Sequence, residues 1–577
     1  MQQRILIMMI LGIAVIGGII GVAIFRGNAE LVETDVLKKF ASPDEVREYL
    51  RTHAEQASYN DGWAGTGVQR TNAPMMPTDA SESGSKSAIA PASPTSATDF
   101  STTNVQVAGV DEADFVKNDG KYIYVISGTR LVIVDAYPAE DAEIVSETTL
   151  SGQPQEMYLL GDRLVVIWTG NGEYWVKPAR SATPIPYWRA TTHATVYSVL
   201  DHAKPSTIRD VNVSGTYYDS RMIGDDVYLL TSESANWYMD DVVMPEVRES
   251  STVVAPDIYY FDIPERYYTF HTISSFNARE SRGVQAESFL LGYANTLYVS
   301  KDNLYISYQK TSHAIPLAAE DVAVGGGVST AIVPPQQYRY EDATIIHKFG
   351  ISGGDISYLG MGEVAGHLLN QFSMDEWNGN LRVAATVQGY TQSQSYQYSN
   401  VYVLGSDMKT LGTLQYIAPE EQIYAARFIG DRLYLVTFKR IDPFFVIDLS
   451  VPERPAILGK LKIPGFSDYL HPYDATHIIG IGKETEANQW GGVSTGGLKL
   501  ALFDVTDVNN PTQVDTVEIG EAGTDSEALH EHKAFLFDRE KNLLVIPVRE
   551  VKKIVYADSK YNPYGQRIWQ GAYVFTV

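Results

Sequence analysis

Asp119-Gly120-Lys121-Tyr122-Ile123-Tyr124-Val125 joins a tight polar turn to a run of alternating apolar residues, and the same phrase returns seven more times along the chain. In the first half it reads Gly161-Asp162-Arg163-Leu164-Val165-Val166-Ile167, Gly224-Asp225-Asp226-Val227-Tyr228-Leu229-Leu230 and Asp302-Asn303-Leu304-Tyr305-Ile306. In the second half it reads Asn378-Gly379-Asn380-Leu381-Arg382-Val383, Gly430-Asp431-Arg432-Leu433-Tyr434-Leu435-Val436, the weaker Asp474-Ala475-Thr476-His477-Ile478-Ile479, and Arg539-Glu540-Lys541-Asn542-Leu543-Leu544-Val545-Ile546. Gly, Asp and Asn tolerate the positive φ that a tight hairpin needs. The run that follows has the composition of a strand. Successive copies lie about 40 to 80 residues apart, a period that for strand-built units implies radial repetition.

A second phrase supplies the rest of the unit. Phe445-Val446-Ile447-Asp448-Leu449-Ser450 is followed by Pro455, Leu458, Leu461 and Ile463, and 56 residues later Leu502-Phe503-Asp504-Val505-Thr506 is followed by Pro511, Val514, Val517 and Ile519. In both, the Asp stands two residues before a hydroxyl residue and seven before the proline. This reads as a third strand, a polar turn and an outer fourth strand. The expected fold is therefore all-β: a β-propeller of seven or eight four-stranded blades over residues 104–577, with eight preferred. A chain of 577 residues can hold several cores, and its 37 tyrosines suit strands. Polar inserts at about 170–190, 232–258, 312–340, 388–399 and 551–567 interrupt the blade phrases, and such loops tend to carry function.

The N-terminus bears on location. Ile5 to Phe25 is an uncharged, almost wholly apolar stretch between Arg4 and Arg26. At 1.5 Å per residue its 21 residues reach about 31 Å, enough to span a bilayer. Residues 1–29 are read as a transmembrane anchor, with cleavage after Ala29, giving a secreted protein, as the rival. Residues 30–57 form a short helical segment. There Ser42-Pro43-Asp44-Glu45 has the marks of a helix start, and Val46, Tyr49 and Leu50 form an apolar stripe. Residues 58–103 are a Ser/Thr/Pro/Ala-rich linker that cannot bury a core. Anchor, helix, tether and propeller in that order suggest a domain displayed outside the membrane. The chain has no cysteine, which excludes a disulfide framework and is silent on redox compartment.

The segment Asn104-Val105-Gln106-Val107-Ala108-Gly109-Val110-Asp111-Glu112-Ala113-Asp114-Phe115-Val116-Lys117-Asn118-Asp119-Gly120 resembles the opening signature of the prokaryotic secreted β-propeller domain family, distantly related to WD40 repeats. Glu531-His532-Lys533-Ala534-Phe535-Leu536-Phe537, with Leu543-Leu544-Val545-Ile546-Pro547 after it, is similar in the same way. The resemblance implies a propeller and an extracytoplasmic location. It implies no catalytic residues, because the family is one of uncharacterised function. Members usually continue past Gly571-Ala572-Tyr573-Val574-Phe575-Thr576-Val577, so blade count and ring closure are open here.

Charge and motifs exclude several functions. The net charge of −25, from 45 basic and 70 acidic residues, argues against nucleic acid as a partner. Gly492-Val493-Ser494-Thr495-Gly496 matches a nucleophile elbow, but that motif needs a strand before it and a helix after it; here a polar loop precedes and a strand follows. Asp111-Glu112-Ala113-Asp114 spells a helicase-like acidic box with no phosphate loop to serve it. No catalytic residue is expected.

Metal candidates are His530 and His532, which would share one face of a strand, and the oxygen ligands Asp504, Asp507 and Asn509, which would suit calcium. A turn role for Asp504 competes, since Asp448 holds the equivalent position. Beyond calcium at that triplet no cofactor is expected. Trp168, Tyr174, Trp175, Tyr187 and Trp188 are read as an aromatic rim for a protein or glycan ligand. The function expected is a membrane-anchored, extracytoplasmic binding or scaffold module at the cell surface, contacting the membrane through residues 5–25. The alternative is an extracytoplasmic metal-dependent lyase or hydrolase working at the propeller channel. Binding leads because no nucleophile–base pair or firm ligand set is visible.

Overall fold

The computed structural model describes residues 37–60, 100–176, 183–235, 242–261, 265, 267–316, 338–391, 394–439, 442–487, 492–552 and 566–577. The apolar stretch 5–25 lies outside these residues. Among the described residues no helix is long and apolar enough to cross a membrane.

Eight antiparallel meanders follow one another among the described residues, over 116–149, 153–214, 216–291, 294–365, 374–417, 422–463, 466–519 and 536–576. Each of the eight turn phrases falls in a different meander and joins its first strand to its second. The residues that made the phrase recognisable make the turn: Gly430 and Asn542 sit at φ 53° and 51°, which a β-branched residue would adopt only with strain. The second phrase is equally literal. The Asp448 carboxylate accepts from Ser450 N at 3.0 Å, and that of Asp504 from Thr506 N at 2.8 Å, closing the turn between third and fourth strands.

Four strands per meander holds only in part. The second and third sheets have six strands each, and the fourth and fifth meanders fuse through Tyr340–Tyr390 and Glu341–Gly389 pairing. The last has three: Leu536–Asp538, Leu543–Lys552 and Gln566–Thr576. Three of the four extra strands come from an insert. Residues 235–268 of the third meander give Val247–Glu249 and Thr252–Val254 to the second sheet and return Asp257–Tyr260 to the third.

Packing is face to face and sequential. Seven apolar clusters each join one meander to the next, from Tyr124, Leu131 and Met157 between first and second to Leu500, Leu544 and Ile546 between seventh and eighth. The best-formed copy shows why the run must alternate. Leu433 and Leu435 face the fifth meander while Tyr434 and Val436 face the seventh, so both faces of one strand are buried. Equivalent close approaches show that neighbours are oriented alike. A Cβ on Gly412 would lie 2.2 Å from Pro452 O of the next meander, and one on Gly459 would lie 2.3 Å from Val508 O of the one after.

The helix expected near residue 42 is α1 (Pro43–Asn60). Ser42 Oγ accepts from Glu45 N at 3.3 Å, and Glu45 reaches back to Ala41 N at 2.6 Å. Val46 and Leu50 are buried against Phe270 and Leu290 of the third meander, and Lys38–Lys39 adds an outer strand to the same sheet. The helix is thus part of the domain, and residues 61–99 connect two points on it.

Two outcomes follow for stability. Leu435→Ala should cost roughly 2–5 kcal/mol in denaturant melts, the range for a truncated core leucine, whereas Ser494→Ala, on an exposed strand position, should be near neutral. The second concerns pH. Burial holds His271 down to about 4, and burial with the neighbouring His271 holds His347 down to about 3. Both are neutral in the fold, so their contribution is complete above the ordinary value near 6.5 and is lost as pH falls toward 4. Melting temperature measured from pH 7 to 4 should therefore fall less steeply for His347→Gln than for the wild type.

Candidate functional site

The segment from Asn104 to Asn118 touches meander after meander. Asn104 Nδ2 donates to Tyr469 Oη and His532 O at 3.1 and 2.9 Å. The Gln106 amide donates to Gln371 O and Met374 O, both at 3.1 Å. Asp111 bridges to Met222 and Asp114 to Met157, and Val116–Asn118 then becomes the first strand of the first meander. A segment in contact with the first strands of several meanders runs where those strands converge.

Glu112 lies at the centre of this convergence and is 3% exposed. Its Oε1 accepts from Gln106 N at 2.8 Å, and its Oε2 lies 3.0 Å from His532 Nε2 and 3.8 Å from Arg221. Burial pushes its pKa up, but Arg221 and His532 outweigh burial and hold it well below the usual carboxylate range. His532 shows the converse. Burial disfavours its charge, while Glu112 and Glu531, 3.2 Å from Nδ1, raise it. Arg221 also binds Asp219 at 2.6 Å, and Lys533 pairs with Glu156 and donates to Ala113 O at 2.9 Å.

These groups line a cavity of about 270 Å³. The fold aims them. The first strands of the second, third, fourth, sixth and seventh meanders each carry one bulge in the half away from the turn phrase, at Gln155, Tyr218, Asn295, Tyr424 and Asp468. A bulge bends a strand and re-aims its side chains, and Glu156, Asp219 and Asp468 accordingly reach the cavity. Asp468 differs from the others. Among the described residues no hydrogen bond or ion pair engages its carboxylate, and burial, with Asp525 adding to it and Lys483 opposing, raises it to about 7. The cavity is rich in acceptors and offers one uncommitted carboxylate, which suits a ligand presenting N–H or O–H donors.

The sequence candidates fare unevenly. His530 and His532 do not share a strand face: the chain there forms two short 3₁₀ turns, Glu527–Leu529 and His532–Ala534, capped by Ser526 and Glu531. His532 is spent on Glu112, while His530 lines the cavity wall. Asp507 accepts from Asn509 N at 3.0 Å and from Asn510 at 2.8 Å, and so, like Asp504, serves its own turn. Among the described residues no group of three or more His, Asp or Glu is arranged to hold a metal.

The aromatic residues lie on the hairpin of Arg163–Val176 and Ile185–Ser198, away from the cavity. Trp168 is stacked on His193 at 3.7 Å, and Tyr174 lies under the guanidinium groups of Arg189 and Arg248. Tyr187 is half-buried, Trp188 is 64% exposed, and the Trp175 side chain is outside the described residues. Glu112, Arg221 and Asp468 were missed. Glu112 stands in the opening signature, but only the fold reveals its partners.

Ser494 is the second residue of the strand Val493–Asp504, with no helix after it, so the elbow motif has no structural counterpart.

Comparison with known proteins agrees with this architecture. A family model described as "Beta propeller domain" matches residues 100–577. An uncharacterised protein of Methanocaldococcus jannaschii is 30% identical over 511 residues, covering 78% of this chain and 74% of its own length. An uncharacterised protein of Archaeoglobus fulgidus is 29% identical over 607 residues, covering 93% and 89%.

Asp468 yields a test. A carboxyl raised in the fold contributes stability below its unfolded value near 3.8 that is lost as pH rises through about 7. Asp468→Asn should therefore melt higher than the wild type at pH 8, by roughly 1–3 kcal/mol, with the gap closing toward pH 4. A gap independent of pH would show that the carboxyl is not held up.

Proposed function

Because the chain belongs to the β-propeller domain family, we propose that it is a membrane-anchored, extracytoplasmic binding module, with the eight meanders as blades and recognition at the blade ends opposite the turn phrases. One observation carries this reading: the strand residues that line the axial cavity lie toward the strand ends from which the inserts depart. Connections in an antiparallel meander alternate between its two ends. The turn phrases occupy one end. The connections from second to third strand, at 177–184, 235–268, 317–337, 391–394, 439–441, 488–492 and 553–565, therefore arise at the other. Glu156, Asp219 and Asp468 lie in the halves of their strands nearer that same end.

The site's chemistry favours binding over turnover. Glu112, Glu156 and Asp219 are tied to Arg221, His532 and Lys533, so they shape the cavity and leave Asp468 to meet the ligand. Retaining a carboxylate that costs stability at neutral pH fits a site kept for function. The stretch 5–25 supplies the anchor, and the acidic surface suits exposure to solvent.

The test is twofold. Protease added to intact cells should nick residues 61–99, and the nicked domain should stay cell-associated through α1 until denaturant is added. Envelope preparations from the source cells should bind the detergent-solubilised protein, and Asp468→Asn should weaken that binding at least tenfold at pH 8. Full protection of the domain in intact cells would overturn the location; unchanged binding by Asp468→Asn would overturn the axial site.

A further inference from the structure

We propose that the groove where the fourth and fifth meanders fuse is a saccharide-binding site, which names a ligand class for the binding module above and rests on that reading. The groove encloses about 670 Å³ and is lined by the two hairpins that pair there together with Glu420 and Lys439. It is separate from the axial cavity and shares no residue with it.

Its floor is fixed by buried acids. Glu341, 6% exposed, accepts from the hydroxyls of Tyr396 and Tyr398 at 2.8 and 3.3 Å. Asp342, 9% exposed, accepts from Gln388 N at 2.8 Å and holds His367 at 2.6 Å. These carboxylates are committed to positioning the wall. Gly389 is what admits that wall: a Cβ there would stand 2.5 Å from the Tyr396 ring and 2.8 Å from Tyr340 O.

The wall is an aromatic platform edged by amides. Tyr340 and Tyr390 stack with centroids 4.9 Å apart at 11°, and Tyr390 is 50% exposed. Gln309 and Gln388 are exposed beside it. The face of an aromatic ring is electronegative, and the axial C–H groups on one face of a pyranose are weakly electropositive, so the two attract. Planar amides match pairs of adjacent sugar hydroxyls, giving one donor and one acceptor each.

Other ligand classes fit poorly. Among the described residues the one lining cation, Lys439, is paired with Glu420 at 2.7 Å, which disfavours a phosphate or a nucleic acid. Glu341 and Asp342 already serve other partners, which disfavours a metal ion. Among the described residues the groove lining holds no Leu, Ile, Val, Met or Phe to seat a hydrophobic peptide anchor.

The experiment is an array of neutral oligosaccharides ending in glucose, galactose, mannose or N-acetylglucosamine, probed with the detergent-solubilised full chain. The strongest hits are then titrated by intrinsic fluorescence. Binding to at least one class is expected. Tyr390→Ala and Gln388→Ala should weaken it at least tenfold with unchanged melting temperature, Tyr390→Phe should retain it, and Asp468→Asn in the axial cavity should leave it intact. No binding across the array, or binding indifferent to Tyr390→Ala, would overturn the saccharide site. Envelope binding that persists while the array is silent would leave the binding-module reading standing and remove only this inference.

Discussion

The contact between Glu112 and His532 closes the molecule. Seven apolar clusters join each meander to its successor, but among the described residues none joins the last to the first. That junction is polar: Glu112 meets His532 and Arg221, Lys533 reaches Ala113 O and Glu156, and Asn104 binds His532 O. Removing one partner of a buried ion pair costs about 3–5 kcal/mol because the other charge is left alone. The two ends of the domain are therefore bound to each other by charged and polar groups rather than by an apolar cluster.

The same economy explains the site. Charges gathered at the axis to join the ends also line the axial cavity, so closure and recognition draw on one set of residues. Glu112, Arg221 and His532 are grouped by charge, and the polarity they impose surrounds Asp468, which is paired with none of them. A cavity built this way is rigid at its base and chemically open at one point.

The fold was legible because its signal is local. A turn phrase needs only Gly, Asp or Asn at a fixed offset from an alternating run, and each of the eight copies proved to be a hairpin. The Asp448 and Asp504 turns were readable for the same reason. The site was not legible, because its members come from Glu112, Glu156, Arg221, Asp468 and His532, far apart in sequence and unmarked by spacing. The pair His530 and His532 misled through a local assumption: two residues apart implies one face only on a strand, and the chain there turns twice. Additions to the sheets escaped notice too, since residues 235–268 join two sheets by contacts that only the folded chain makes.

The strand Lys38–Lys39 bears on how the domain would stand at a membrane. It is the outermost strand of the third sheet, whose opposite edge, Thr216–Ile223, borders the axis. Only 11 residues, 27–37, separate it from Arg26, a leash no longer than about 40 Å even when fully extended. Were the stretch 5–25 to lie in a bilayer, as proposed above, this outer edge of the third sheet would be held within that distance of the lipid. The cavity, at the opposite edge of the same sheet, would then lie a full sheet's width from the point of attachment.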